Sequence, residues 1–330
     1  MDKKPLLSIE DLRIEFDTFE GTAHVLDGVS FAMGRGETMG LVGETGCGKS
    51  ITAKAVLRLL PEPPARIASG NIRFMGEDLL RKQEGEMRQI RGTKIAMVFQ
   101  NPMTFLNPVF TVGEQLTDVI LAHLRPGERK GSLGRTQIRE KALDLLRDVS
   151  IPQPESRINS YPHEFSGGMR QRVLIAMALS ASPELLIADE PTTALDVTIQ
   201  AQILRLIQDL VERHHLSVLL ISHDLGVVAK ICQRIAVMYA GNLVENGGTS
   251  QIFRSPLHPY TRGLLNSILK FSKREWEAQP IKGSIPNLIQ PPPGCRFHPR
   301  CLERMCVCEK EKPISLEIEE RHWVSCHLYS

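Results

Sequence analysis

Short apolar runs, closed by glycine, glutamine, carboxylates or histidine in turn, recur along the chain: Glu37–Val42, Ile95–Phe99, Glu184–Glu190 and Ser217–His223. A run of this kind reads as a strand buried on both faces, as in a parallel sheet. Between the runs the apolar spacing becomes helical. Ile51–Leu60 predicts a helix ended by Pro61. Val112, Leu116, Val119, Ile120 and Ala122 predict another from Thr111 to about Leu124. Leu143, Leu145, Leu146 and Val149 belong to a third that stops before Pro152, and Ile199, Ile203, Leu206, Ile207 and Leu210 mark a fourth from Thr198. Residues 5–42 instead alternate short apolar strands with turns, which predicts an antiparallel β lobe. Further strands are expected near 234–239 and 242–246. Residues 125–136 are a polar, glycine-rich link inside a helical stretch. The class is α/β, with a helical lobe inserted at about 101–175. No internal repeat is visible, and the one low-complexity tract is Pro291–Pro293.

The first strand–helix pair encloses Gly43-Glu-Thr-Gly-Cys-Gly-Lys-Ser50. Gly43, Gly46 and Gly48 let the backbone turn its N–H groups inward toward phosphate oxygens. The following helix adds a partial positive charge at its start. Lys49 is expected at the β- and γ-phosphates of a bound nucleotide, and the Ser50 hydroxyl on Mg²⁺. Glu44, Thr45 and Cys47 complete the loop and Ile51 opens the helix, so 43–51 form one nucleotide-binding segment. Cys47 reads as a spacer. The run 184–190 delivers Asp189 and Glu190 to the C-terminal end of a strand, where parallel sheets bind ligands. Phosphoryl transfer needs a carboxylate near the metal and a group to position the attacking water. Asp189 is assigned to Mg²⁺ and Glu190 to the general base.

A third stretch, Phe165-Ser-Gly-Gly-Met-Arg-Gln-Arg172, caps a helix through Ile175–Leu179 and makes a second anion-binding end. With the phosphate loop before it and the carboxylates after it, the chain resembles the ATP-binding subunits of the ABC family. Their signature is usually written Leu-Ser-Gly-Gly-Gln, so Phe165 and Met169 depart from it. The resemblance implies a P-loop NTPase core whose subunits close in pairs on two ATP molecules. Ser166, Gly167 and Gly168 would meet the γ-phosphate held by the opposite subunit. Gln100 resembles the residue that touches the metal and the attacking water and couples them to a membrane partner. Ala194-Leu-Asp196 resembles the loop that crosses the dimer interface, and His223 the switch histidine at the γ-phosphate. Phe16, with Phe19 second, is the candidate for stacking on adenine.

Length adds a second body. A chain of 330 residues exceeds one ordinary core, and the reading is an ATPase domain at 1–254 followed by an extension at 255–330. Hydrophobic content of 42% suffices for a full core. Forty basic against 38 acidic residues leave a net charge of +2, with no bias toward nucleic acid. No apolar run approaches the ~20 residues that span a bilayer, and Met-Asp-Lys-Lys-Pro at the start lacks the apolar segment of a signal peptide. The expected location is the cytoplasmic face of the membrane, reached through partners.

The extension opens with His258-Pro-Tyr-Thr261 followed by Leu264 and Leu265, which by itself is a proline-punctuated turn into an amphipathic helix. It resembles the linker in ATPase subunits of dipeptide and oligopeptide importers, a feature shared by nickel importers. Five of the seven cysteines then fall at Cys295, Cys301, Cys306, Cys308 and Cys326. A cytoplasmic chain would not pair them as disulfides, so a metal site is the main reading. Arg296, Arg300 and Arg304 interleave them and are expected to favour thiolates. Four thiolates suit Zn²⁺ or an iron–sulfur cluster, and the spacing alone does not choose. His298, His322 and His327 are reserves for Zn²⁺. Cys232 reads as core. The importer resemblance implies a [4Fe–4S] cluster on Cys295, Cys301, Cys308 and Cys326, with Cys306 an extra thiol. It further implies two integral-membrane permease subunits, a second homologous ATPase subunit in a heterodimer, and an indirect link to a solute-binding protein. The transported solute would be a dipeptide or oligopeptide, with nickel as the alternative. A rival class is an ABC ATPase acting on nucleic acid; the absence of a coiled-coil insertion or a second ATPase copy speaks against it.

Overall fold

The computed structural model describes residues 4–100, 102–124, 134–193, 195–268 and 281–330. Most of the polar link at 125–136, together with Ala194, lies outside them. The chain divides into two compact units, one of residues 1–82 with 220–330, the other of residues 83–219.

The first unit contains two sheets. In the antiparallel one the order is β2 (Gly21–Met33), β1 (Leu7–Thr18), β4 (Ala65–Phe74) and β5 (Glu77–Asp78). The long strands replace the short ones expected from the pattern, because a bulge absorbs the break in alternation. Leu7, Ile9, Leu12 and Ile14 are all buried, and the register shifts between Ile9 and Leu12. Asp11 takes the left-handed conformation there at φ 45°. Gly70 sits opposite at φ 103°, where a Cβ would lie 2.6 Å from the Asp11 carbonyl oxygen; only glycine fits.

The other sheet of this unit runs β11 (Leu316–Glu319), β12 (His322–Val324), β10 (Asn242–Gly248), β9 (Arg234–Tyr239) and β3 (Thr38–Val42). β3 is buried at every position and pairs in parallel with β9. β12 adds to β10 in antiparallel fashion, Glu245 opposite Val324, so the last residues of the chain extend the same sheet that carries the phosphate loop. The buried pair His322–Glu245 fastens this addition, with Nε2 and Oε1 2.8 Å apart and both side chains fully excluded from solvent. The Glu245 carboxylate also accepts the N–H groups of Leu257 and His258. A carboxylate in an apolar strand is tolerable only when so paired.

α1 (Lys49–Val56) is shorter than expected. Pro61 does not end it. Arg58 turns left-handed at φ 49°, and the N–H of Leu59 reaches back to the Lys54 carbonyl, a local C-cap. α9 (Leu225–Ile231), α10 (Thr249–Arg254) and α11 (Pro259–Ile268) complete the helices of this unit.

In the second unit β6 (Ile95–Val98) and β7 (Leu185–Asp189) pair in parallel. α2 (Glu84–Ile90), α3 (Pro102–Phe105), α4 (Val112–His123), α5 (Arg135–Asp148), α6 (Pro154–Arg157), α7 (Gly167–Leu179) and α8 (Val197–His214) supply its helices. α4, α5 and α7 pack on one another. The start of α4 is fixed by a capping box: Glu114 N–H donates to Thr111 Oγ1, and Thr111 N–H donates to Glu114 Oε2. β8 (Ser217–Ser222) is buried throughout and carries the chain from the second unit back to the first. Among the described residues no helix is long and apolar enough to cross a membrane.

Candidate functional site

In the first unit β3 ends at Val42 and the chain turns at once through 43–48 into α1. Gly43, Gly46 and Gly48 have φ of 152°, 87° and 106°. At Gly43 the need is also steric, since a Cβ would lie 2.1 Å from the Met238 carbonyl oxygen. Thr45 and Gly46 form the exposed tip, whereas Cys47 and Lys49 are buried and Ser50 and Ile51 half-buried. The Lys49 ammonium donates to the carbonyls of Gly43 (2.7 Å) and Glu44 (3.0 Å), and lies 3.7 Å from Cys47 Sγ. Burial raises the Cys47 thiol above its ordinary range, with Lys49 partly opposing. Phe16 is half-buried on β1, opposite Ala23 and Ala65, while Phe19 is wholly exposed. His223 is exposed just past the end of β8, followed by Asp224, which caps α9 through the N–H groups of Gly226 and Val227.

The second unit holds the remaining candidates. Asp189 is buried at the end of β7, and Glu190 follows it at φ 46°, a conformation costly for a non-glycine residue. Glu190 Oε2 accepts from Gln100 Nε2 at 2.9 Å and from Thr193 Oγ1 at 2.8 Å. Gln100 and Glu190 are therefore brought together. Ser166 caps α7, its Oγ accepting from the Met169 N–H at 3.3 Å. Ser166 and Gly167 face solvent and Gly168 is buried; a Cβ on Gly168 would lie 2.5 Å from Ile199 Cγ2. Phe165 is core, with the Arg157 guanidinium over its ring. Asp196 caps α8 through the Ile199 N–H.

The tail contributes what the sequence pattern did not reveal. Tyr260 and Arg300 both bind Glu44 of the phosphate loop, Tyr260 through its hydroxyl and Arg300 through its guanidinium. A tyrosine after His-Pro and an arginine before a cysteine carry no periodic signal, so no local pattern could have pointed to this.

Four of the five tail thiols form one neighbourhood. Burial pushes the Cys295 thiol up to about 11, and Cys308, Cys326 and Cys301 act on it through space in the same direction. Cys301 is likewise raised, first by burial, then by the Glu303 carboxylate and Cys308, and Cys326 by burial and then by Cys301 and Cys308. Cys306 is exposed. Arg296 and Arg300 do not act as expected from the sequence. Arg296 binds the carbonyls of His24 and Ala240 and faces Asp27, and Arg300 faces Glu44; the cation acting on Cys301 and Cys326 is Arg262. The histidine reserves are also committed: His298 to the Cys295 carbonyl, His322 to Glu245, His327 to the Glu311 carbonyl. Among the described residues no three His, Cys, Asp or Glu side chains are gathered to hold a metal ion, so neither the Zn²⁺ alternative nor the iron–sulfur cluster has a preformed site among them. Cys232 is buried and pushed up to about 12, as a core thiol should be.

The sequence matches the ABC transporter family over residues 26–193 and the oligopeptide/dipeptide transporter C-terminal region over residues 244–308. It is 48% identical over 323 residues to the dipeptide transport ATP-binding protein DppD of Bacillus subtilis (strain 168), spanning 98% of this chain and 94% of that protein. It is 47% identical over 324 residues to the oligopeptide transport ATP-binding protein OppD of the same organism, spanning 98% and 88%. Its fold resembles the dimeric post-hydrolysis state of the ATP-binding cassette MJ0796 bound to ADP and Pi, with a TM-score of 0.64, 25% identity, and coverage of 74% of this chain and 98% of that one. The glycine cradle with its buried lysine, the capped signature helix and the carboxylate-ended strand thus stand in a chain that belongs to the ABC transporter family, as an ATP-hydrolysing subunit with the C-terminal region of oligopeptide/dipeptide transporters.

Proposed function

We propose that this chain powers the import of dipeptides or oligopeptides through separate membrane permease subunits, from the cytoplasmic face of the membrane. The observation that carries the reading is the presence of both family matches on one chain, together with relatives of that named function along nearly its whole length. Residues 1–254 are the engine, with 101–175 as its helical lobe, and 255–330 are the importer-type tail.

In the proposed mechanism Gly43–Ile51 cradles the ATP phosphates, Lys49 meets the β- and γ-phosphates, and Phe16 stacks on adenine. Ser50, Asp189 and Gln100 would each serve as a ligand of Mg²⁺, which would supply positive charge to the phosphates. Glu190 takes the proton of the attacking water, Gln100 orients that water, and His223 senses the γ-phosphate. Ser166, Gly167, Gly168 and Asp196 serve the nucleotide of a second, homologous ATPase subunit; the dimeric relative bound to ADP and Pi supports such pairing. After Gln100 the helical lobe exposes Phe105, Val109 and Phe110, apolar surface suited to a permease partner, with a solute-binding protein linked indirectly.

The four neighbouring thiols, Cys295, Cys301, Cys308 and Cys326, support a [4Fe–4S] cluster. Such a cluster would be held by these four side chains as thiolates and needs all four. Cys306, exposed and outside the set, is the extra thiol.

The test is purification of the chain from native membranes followed by ATPase assay with solute-binding protein and peptide. Copurifying permease subunits and peptide-stimulated hydrolysis are expected. Copurification with nucleic acid, and indifference to peptide, would overturn the reading.

A further inference from the structure

Glu44, the second residue of the phosphate loop, is fixed at three places. Its N–H donates to the Tyr260 hydroxyl at 2.9 Å. Its carboxylate accepts from Arg300 Nη1 at 3.0 and 3.1 Å. Its carbonyl accepts from the Lys49 ammonium at 3.0 Å. Two of the three anchors come from the tail.

Both anchors are themselves rigid. Tyr260 is fully buried, its ring edge-on to Tyr239 and Phe297 with centroids 4.7 and 5.4 Å away. The Arg300 side chain is only 8% exposed. Its Nε donates to the Lys282 carbonyl, Nη2 to the Gly283 carbonyl and Nη1 to the Tyr239 hydroxyl. The planar fork is therefore aimed at Glu44 by bonds that do not involve Glu44.

The geometry points to Tyr260 and Arg300 as positioning residues for ATP binding, through which the tail holds the phosphate loop in its cradle before nucleotide arrives. Lys49 takes its place from the carbonyls of Gly43 and Glu44, so fixing Glu44 also fixes where the ammonium waits. The loop tip at Thr45 and Gly46 is exposed, and glycine-rich backbone loses much entropy when ordered. Anchoring one arm of the loop in advance removes part of that cost from binding. Neither residue is placed at a phosphate; each acts through Glu44.

The test uses the full chain and calorimetric titration with Mg²⁺ and a non-hydrolysable ATP analogue. Tyr260→Phe keeps the ring and loses only the hydroxyl; it is expected to weaken binding roughly fivefold, the worth of one neutral hydrogen bond. Arg300→Gln and Glu44→Gln should each weaken it by roughly tenfold, with the double variant no worse than Arg300→Gln alone. Arg300→Lys should restore part of the affinity. In turnover assays the loss should appear in KM for ATP, with kcat and the thermal midpoint of Tyr260→Phe little changed. If Arg300→Gln does not fold, Tyr260→Phe and Glu44→Gln decide. Binding by both within about twofold of wild type, or a loss confined to kcat, overturns the proposal.

Discussion

Gln100 and Glu190, 90 residues apart, are joined by an amide-to-carboxylate hydrogen bond of 2.9 Å. The parallel ladder delivers them together: Val98 pairs with Ala188, and each functional residue lies two positions farther along the chain, just past the end of its strand. Thr193 donates to the same carboxylate oxygen. Glu190→Gln should retain nucleotide binding and lower turnover by at least ~10²-fold, the usual worth of a positioned base. Gln100→Ala should cost less, roughly tenfold, through a water and carboxylate no longer oriented. Binding titration alongside steady-state phosphate release reads both. Wild-type turnover in Glu190→Gln would remove it as the base.

His258 sets a pH dependence. It is fully buried, its Nδ1 accepts the Tyr260 N–H at 3.0 Å, and burial pushes its pKa down to about 4, with the Glu245 carboxylate opposing and Arg262 adding to the depression. The unfolded chain takes up this proton near pH 6.5 and the folded chain does not. Stability from this residue therefore falls as pH drops from about 6.5 to about 4, by about 1.4 kcal/mol per unit. Glu245, whose own pKa is lowered by its donors against the cost of burial, adds to the loss only at the acid end. Urea unfolding at neutral and mildly acid pH should show a shallower slope in His258→Asn. Equal slopes would contradict the assignment.

Much of this architecture was legible because it is local. The glycine loop, the capped helices at Thr111, Ser166 and Asp196, and the buried strands ending in Val42 and Asp189 each declare themselves within a few residues. The tail does not. Its strands β11 and β12 are short, and β12 is fastened to β10 by a buried hydrogen-bonded pair, His322–Glu245, whose members are 77 residues apart. The grip of Tyr260 and Arg300 on Glu44 spans 216 and 256 positions. Arg296 and Arg300 were expected to serve the cysteines from sequence proximity alone, but the fold turns them toward carbonyls and carboxylates of the core.

Two glycines separate strain from crowding. Gly241 lies at φ 81°, and a Cβ there would sit 2.2 Å from the Val25 carbonyl oxygen and 2.9 Å from Arg296 Nη1. Gly36 lies at φ 67° with nothing nearby. Gly36→Ala should cost only the left-handed penalty, about 1–2 kcal/mol. Gly241→Ala should cost about 2–4 kcal/mol, since backbone must also move. Denaturant midpoints compare them directly; equal losses would contradict the crowding at Gly241.

The thiol neighbourhood makes a selective prediction. On the proposed [4Fe–4S] assignment, chain purified without oxygen carries visible absorbance and iron, which Cys301→Ser should lose and Cys306→Ser should keep. Equal loss in the two variants would contradict the choice of four.

The most direct test of the account is uptake of labelled peptide by membrane vesicles carrying the assembled transporter, with ATP supplied on the side of this chain. Uptake should require ATP, stop with Glu190→Gln, and ignore nickel as a competitor. Peptide uptake that persists with Glu190→Gln, or ATP-driven movement of nickel in place of peptide, would contradict it.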